Sequence, residues 1–124
     1  FIGADSEKAR GFVYAASLQD RAWQLQEALF RNQGAENSGW VTDDLVRSLA
    51  EDIEGLDVER LFADAAGQEV ASLAAQATSQ AQAARVSGTP SFYIQIGDEE
   101  PYPLELGALD PAEFRPALDD ALQG

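Results

Sequence analysis

Apolar residues recur at intervals of three and four through the first two-thirds of the chain and alternate only after Pro90. That change of period predicts a helical stretch followed by extended structure. Asp5 and Ser6 are N-cap residue types ahead of a run with Ala9, Phe12, Val13 and Ala16 on one face, which Ala15-Ala16-Ser17 bends or breaks. Leu18, Ala22, Leu25 and Leu29 continue the pattern, and Trp23 and Phe30, two turns apart, widen the stripe. Rings at helical spacing are read as core. Residues 32–41 read as a loop broken by Gly34 and Gly39, with Trp40 as its anchor. Thr42 then caps a helix that opens on Asp43-Asp44, favourable at the positive end of the helix dipole, and buries Leu45, Leu49 and Ile53. Gly55 ends it, and Asp57 caps a shorter helix carrying Val58, Leu61, Phe62 and Ala65.

From Gln68 to Arg85 the chain is alanine-rich, with Val70, Leu73, Ala77, Ala81 and Ala84 on one stripe that permits close packing. Past Pro90, Phe92, Ile94 and Ile96 face one way and Tyr93 and Gln95 the other, predicting a strand over Ser91–Ile96. Residues 97–100 form the turn, and Tyr102, Leu104 and Leu106 fit a second strand that Pro101 and Pro103 confine to an edge. Asp110-Pro111-Ala112-Glu113 reads as a capped helix start, and Phe114, Ala117, Leu118, Ala121 and Leu122 supply that helix's apolar face. Pro116 should kink it or delay its regular part. The fold class is therefore α+β and mostly helical: helices, a β-hairpin that must pack against helices or pair with another strand, and a final helix.

Composition narrows the chemistry. The chain's 124 residues suit one domain, and no apolar run approaches the ~20 residues a membrane helix needs. It has no methionine and begins Phe1-Ile2-Gly3, the expected signature of a processed product or a fragment. Acids outnumber bases 22 to 8, a net charge of −14, so no basic stripe is available for nucleic acid. The acids lack the Asp-x-Asp-x-Asp-Gly spacing of a calcium loop and read as solvated faces. Without histidine or cysteine, the chain itself excludes Ser-His-Asp and Cys-His nucleophiles, thiolate redox chemistry and the usual zinc sites. No carboxylate pair sits in an apolar setting suited to acid–base work, so no catalytic residue, metal site or cofactor is assigned.

Gly88-Thr89-Pro90 stands at the join between the helical run and the first strand. Proline is tolerated at a strand's first residue and biases the residue before it toward extended geometry, which stops the helix. This segment, within Val86-Ser87-Gly88-Thr89-Pro90-Ser91-Phe92, resembles the DsbA-type thiol–disulfide oxidoreductases, thioredoxin-fold proteins with an inserted helical domain. The stretches Ala15–Trp23, Glu27–Gly34 and Ala35–Thr42 look like that insertion, and Phe1–Ser6 looks like the segment after the core's second strand.

The resemblance implies an incomplete thioredoxin-like fold, with a helical insertion domain at residues 1–85 and a ββα part at 86–124. It implies that Pro90 is a cis-proline, that Thr89 offers its backbone to an extended substrate peptide, and that Gly88 permits the tight turn. The family's Cys-x-x-Cys helix would precede Phe1, so redox activity belongs to a longer parent and this chain alone is expected to be inactive. For that parent, the implied partners are extended or unfolded protein substrates and a redox partner protein. The implied location is extracytoplasmic, in the periplasm or at the cell surface, with room for a membrane anchor N-terminal to Phe1. An unpaired strand edge at 91–96 is expected to drive self-association. Two other readings stand beside this one: a cysteine-free module that holds peptides at Thr89-Pro90, and an acidic structural domain in which Gly-Thr-Pro only turns the chain.

Overall fold

A computed structural model describes residues 3–123. Helices α1 (Gly3–Ser17), α2 (Ala22–Arg31), α3 (Asp43–Glu51), α4 (Val58–Ala65) and α5 (Gln68–Ala83) come first. Strands β1 (Tyr93–Ile94) and β2 (Tyr102–Pro103) and helix α6 (Pro111–Gln123) follow. The chain divides into two compact units, residues 1–77 and 78–124, with the division falling inside α5.

In the N-terminal unit one core gathers Phe12, Ala15 and Ala16 of α1, Leu25 and Leu29 of α2, Val46 and Ala50 of α3, Leu61 of α4, and Val70. Ala15 and Ala16 are fully buried, so their small side chains set how closely neighbouring helices approach. The corner between α1 and α2 is held by polar ties. Asp20 adopts a left-handed φ of 57°, and Arg21 N donates to Ala16 O at 2.9 Å, closing α1 with a Schellman motif. Gln19 pairs reciprocally with the backbone of Asp57, donating to its carbonyl at 3.2 Å and accepting from its N–H at 2.9 Å. Arg21 Nε donates to Glu54 O at 2.8 Å and Arg60 Nη2 to Leu18 O at 3.2 Å. Thr42 and Asp57 cap α3 and α4 through their side chains, accepting from Leu45 N and Arg60 N. Phe62 meets Phe12 edge-on at 4.9 Å and lies under the Arg47 guanidinium, whose hydrogen bond to Glu59 holds its pKa above the ordinary arginine value.

Helix α1 begins at Gly3, so Asp5 and Ser6 lie in its first turn instead of ahead of it. Asp5 is buried and serves the loop opposite, accepting from Gly39 N at 2.9 Å and Val41 N at 3.4 Å. Phe1 and Ile2 of the segment likened to the family's post-strand stretch lie outside the described residues. Trp23 and Phe30 are not core: they are 79% and 66% exposed. Successive residues turn by about 100° around a helix, so with Leu25 and Leu29 facing inward both rings rotate outward. On α3 the buried line is Val46 and Ala50, one residue round from Leu45, Leu49 and Ile53, which are half-buried.

In the C-terminal unit the hairpin is far shorter than its alternation suggests. Only Tyr93↔Pro103 and Ile94↔Tyr102 pair, antiparallel, and Leu104 N adds a bond to Phe92 O at 2.8 Å. Pro101 and Pro103 have no N–H to give, which stops the ladder. Helix α6 runs unbroken through Pro116. Asp110 accepts from Ala112 N at its start, while Glu113 reaches to Gly107 N instead of completing a capping box. Leu118 and Leu122, on that helix's apolar face, are 48% and 85% exposed. Among the described residues no helix is long and apolar enough to cross a membrane.

Asp5→Ala leaves two backbone donors without their buried acceptor, and is expected to lower unfolding free energy by about 1–3 kcal/mol in urea titration. Leu61→Ala should cost about 2–5 kcal/mol in the same measurement. Trp23→Ala should stay within about 0.5 kcal/mol of the parent chain; a loss as large as that of Leu61→Ala would return this ring to the core.

Candidate functional site

The segment between α5 and β1 is short and braced at both ends. Helix α5 closes on Arg85, in a left-handed conformation at φ 55°, with Val86 N donating to Ala81 O at 2.9 Å and Arg85 N to Gln82 O at 3.0 Å. That is a Schellman motif with arginine where glycine is usual. From the far side, the Tyr93 hydroxyl donates to Ala84 O at 2.8 Å and ties the first strand back to the helix end. Between these braces, Ser91 Oγ donates to Gly88 O at 2.6 Å.

Gly88, Thr89 and Pro90 are all solvent-exposed, and the Thr89–Pro90 peptide bond is cis. Among the described residues neither the N–H nor the C=O of Thr89 has a hydrogen-bond partner within the chain. Gly88 lacks a left-handed φ and a Cβ built there would meet nothing within 4 Å, so the space over it is open.

Pro90 and Phe92 form a shared wall between two depressions. One, of about 500 Å³, runs along Arg85, Ser91 and Tyr93 to Leu104 and Leu106. The other, of about 770 Å³, is lined mostly by apolar atoms of Leu109, Phe114, Leu118 and Leu122. Phe114 meets Phe92 edge-on at 4.8 Å, which fixes the rim next to Pro90. The sequence marks Gly88, Thr89 and Pro90 and gives the α6 residues an apolar face, without showing whether that face is covered. Their spacing of four is the same for a buried stripe and for an open groove. The strut from Tyr93 left no signal in the sequence.

The arrangement presents free backbone groups beside an apolar trough, and the chain has no cysteine or histidine. Among the described residues no group of three or more acidic, histidine or cysteine side chains is placed to hold a metal ion.

A family model described as a DSBA-like thioredoxin domain matches residues 1–119. A probable disulfide bond formation protein D from Bacillus cereus is 29% identical over 97 residues, covering 76% of this chain and 45% of the relative. A protein of the same description from Bacillus anthracis is 28% identical over 97 residues, with the same shares covered. The matched stretch thus spans less than half the length of either relative. No solved structure matches the chain. With nearly all of its length matched to that domain, and its helices leading through Gly88-Thr89-Pro90 into a hairpin and closing helix, the chain belongs to the DsbA-like family of thioredoxin-fold proteins.

Proposed function

We propose that this chain is part of an extracytoplasmic thiol–disulfide oxidoreductase, its redox cysteines lying outside these 124 residues. Residues 1–85 would be the helical insertion and 86–124 the closing ββα part of the thioredoxin-like domain. The observation that carries this reading is the unpartnered backbone of Thr89 beside an apolar trough. An extended peptide gains affinity from main-chain hydrogen bonds and specificity from pockets for its side chains. Thr89 would supply the former, and Phe92, Phe114 and Leu118 the latter. Membership of the family supports the chemistry, and the relatives' description as disulfide bond formation proteins supports its direction toward protein substrates.

In the exchange itself, a cysteine thiolate attacks one sulfur of a disulfide and forms a mixed disulfide as the other sulfur leaves as thiolate. A second thiolate then attacks the mixed disulfide, releasing the first partner and completing the two-electron transfer. Both thiolates must come from outside this chain, and a redox partner protein would reset the pair. Thr89 and Pro90 would position the extended or unfolded substrate for attack. Oxidising compartments are where such exchange sustains disulfides, which supports an extracytoplasmic setting.

A second reading, peptide binding without redox chemistry, rests on the same free backbone at Thr89 and needs no cysteine. The coding sequence upstream of Phe1 separates the two, since the first requires Cys-x-x-Cys there and the second does not.

Self-association is the other consequence. Among the described residues β1 pairs with β2 alone, so its outer edge is unpaired, and Phe92 beside it is 36% exposed. Unpaired edges recruit further strands. A net charge of −14 opposes that pairing, and salt screens the repulsion within about 10 Å at 0.1 M.

The purified 124-residue chain is expected to reduce insulin disulfides no faster than dithiothreitol alone; a rate above that background overturns the assignment of the cysteines to another segment. Light scattering at micromolar concentration should give a mass above 13.3 kDa that rises with added salt. A monomer at every salt concentration would remove the strand edge as an association surface.

A further inference from the structure

We propose that a recess in the N-terminal unit, between α1, α2 and the loop at residues 33–40, binds a small organic cation with an aromatic body. The recess has a volume of about 410 Å³ and lies wholly within that unit, so it does not depend on the reading of Thr89 and Pro90. Ligand sites typically measure about 300–1,000 Å³. A cavity at the low end of that range suits a one-ring or two-ring molecule.

Three aromatic side chains line it, Tyr14 from α1, Phe30 from α2 and Trp40 from the loop. Trp40 is packed against the core and Tyr14 is half-buried, so both are held in place. Phe30 is 66% exposed and contributes nothing to the core, yet it walls the recess. The negative faces of aromatic rings attract cations, most strongly where the cation sheds its water.

The polar groups point to the same class of ligand. The Asp5 carboxylate lines the recess at 7% exposure and accepts from Gly39 N and Val41 N. An ionised carboxylate has about four acceptor sites, so those two bonds leave capacity for a ligand N–H. Glu36 adds a second carboxylate at the rim, against the single guanidinium of Arg10. The surrounding field is that of a chain with net charge −14, which concentrates cations and repels anions.

The test is a titration of the 124-residue chain with phenethylammonium and with phenylacetate, an anion of similar size, read by calorimetry and by amide resonance shifts. Phenethylammonium should bind saturably and about tenfold more tightly than phenylacetate, shifting the resonances of Asp5, Tyr14 and Trp40. Phe30→Ala and Glu36→Gln replace exposed side chains and leave the fold intact; each should weaken binding roughly threefold. Absence of saturable binding, equal or tighter binding of phenylacetate, shifts confined to residues outside the recess, or unaltered affinity in both variants would each overturn the proposal.

Discussion

The N-terminal unit depends on how its corners are held more than on the length of its helices. Between α1 and α2 the chain reverses in a few residues, and a reversal that tight strands carbonyls and N–H groups at both helix ends. Side chains from elsewhere supply their partners. Gln19 forms a two-way bond with the backbone of Asp57, Arg21 reaches Glu54 O, and Arg60 returns to Leu18 O. These ties set the α1–α2 corner against the α3–α4 connection, and only with that spacing fixed can Ala15 and Ala16 lie fully buried. Asp5 does the equivalent for the loop at residues 39–41. The core is thus assembled from modest side chains by polar groups that decide where each helix stops.

Much of this was legible in the sequence, and the failures share a cause. Thr42 and Asp57 mark local events, and local rules found them, whereas α3 stops at Glu51, short of the expected Gly55. The stripe on α2 was traced correctly through Leu25 and Leu29 and then extended to Trp23 and Phe30, because periodicity says which residues share a face and hydrophobicity says they prefer burial. Neither says whether enough protein is present on that side to bury them. The same ambiguity applies to the apolar face of α6, where Leu118 and Leu122 stay exposed, and a one-residue rotation separates the expected line on α3 from the observed line through Val46 and Ala50. The hairpin erred in the other direction: its alternation continues past the point where Pro101 and Pro103 remove the donors a ladder needs. At the candidate site, Gly88, Thr89 and Pro90 were found by motif. The trough beside them and the Tyr93 strut depend on residues far along the chain, and no local pattern encodes them.

The two units contribute different materials. The N-terminal unit supplies a well-filled helical core with an aromatic-lined recess on its flank, whereas the C-terminal unit supplies exposed backbone and open apolar surface in place of a core. Of its side chains only Ile94 is buried among the described residues. The chain belongs to the DsbA-like family and carries no cysteine of its own.

The bond from the Tyr93 hydroxyl to Ala84 O closes a small ring of chain that contains Thr89 and Pro90. Its consequence is entropic. An unbraced connection of this length would sample many arrangements, and a peptide docking on it would have to freeze them at about 1–2 kcal/mol per backbone residue. With the ring closed and Ser91 pinned to Gly88 O, most of that freedom is surrendered when the unit folds instead of when a partner arrives. A partner at Thr89 would then meet the loss of rigid-body freedom and of water contacts without the added cost of ordering this segment.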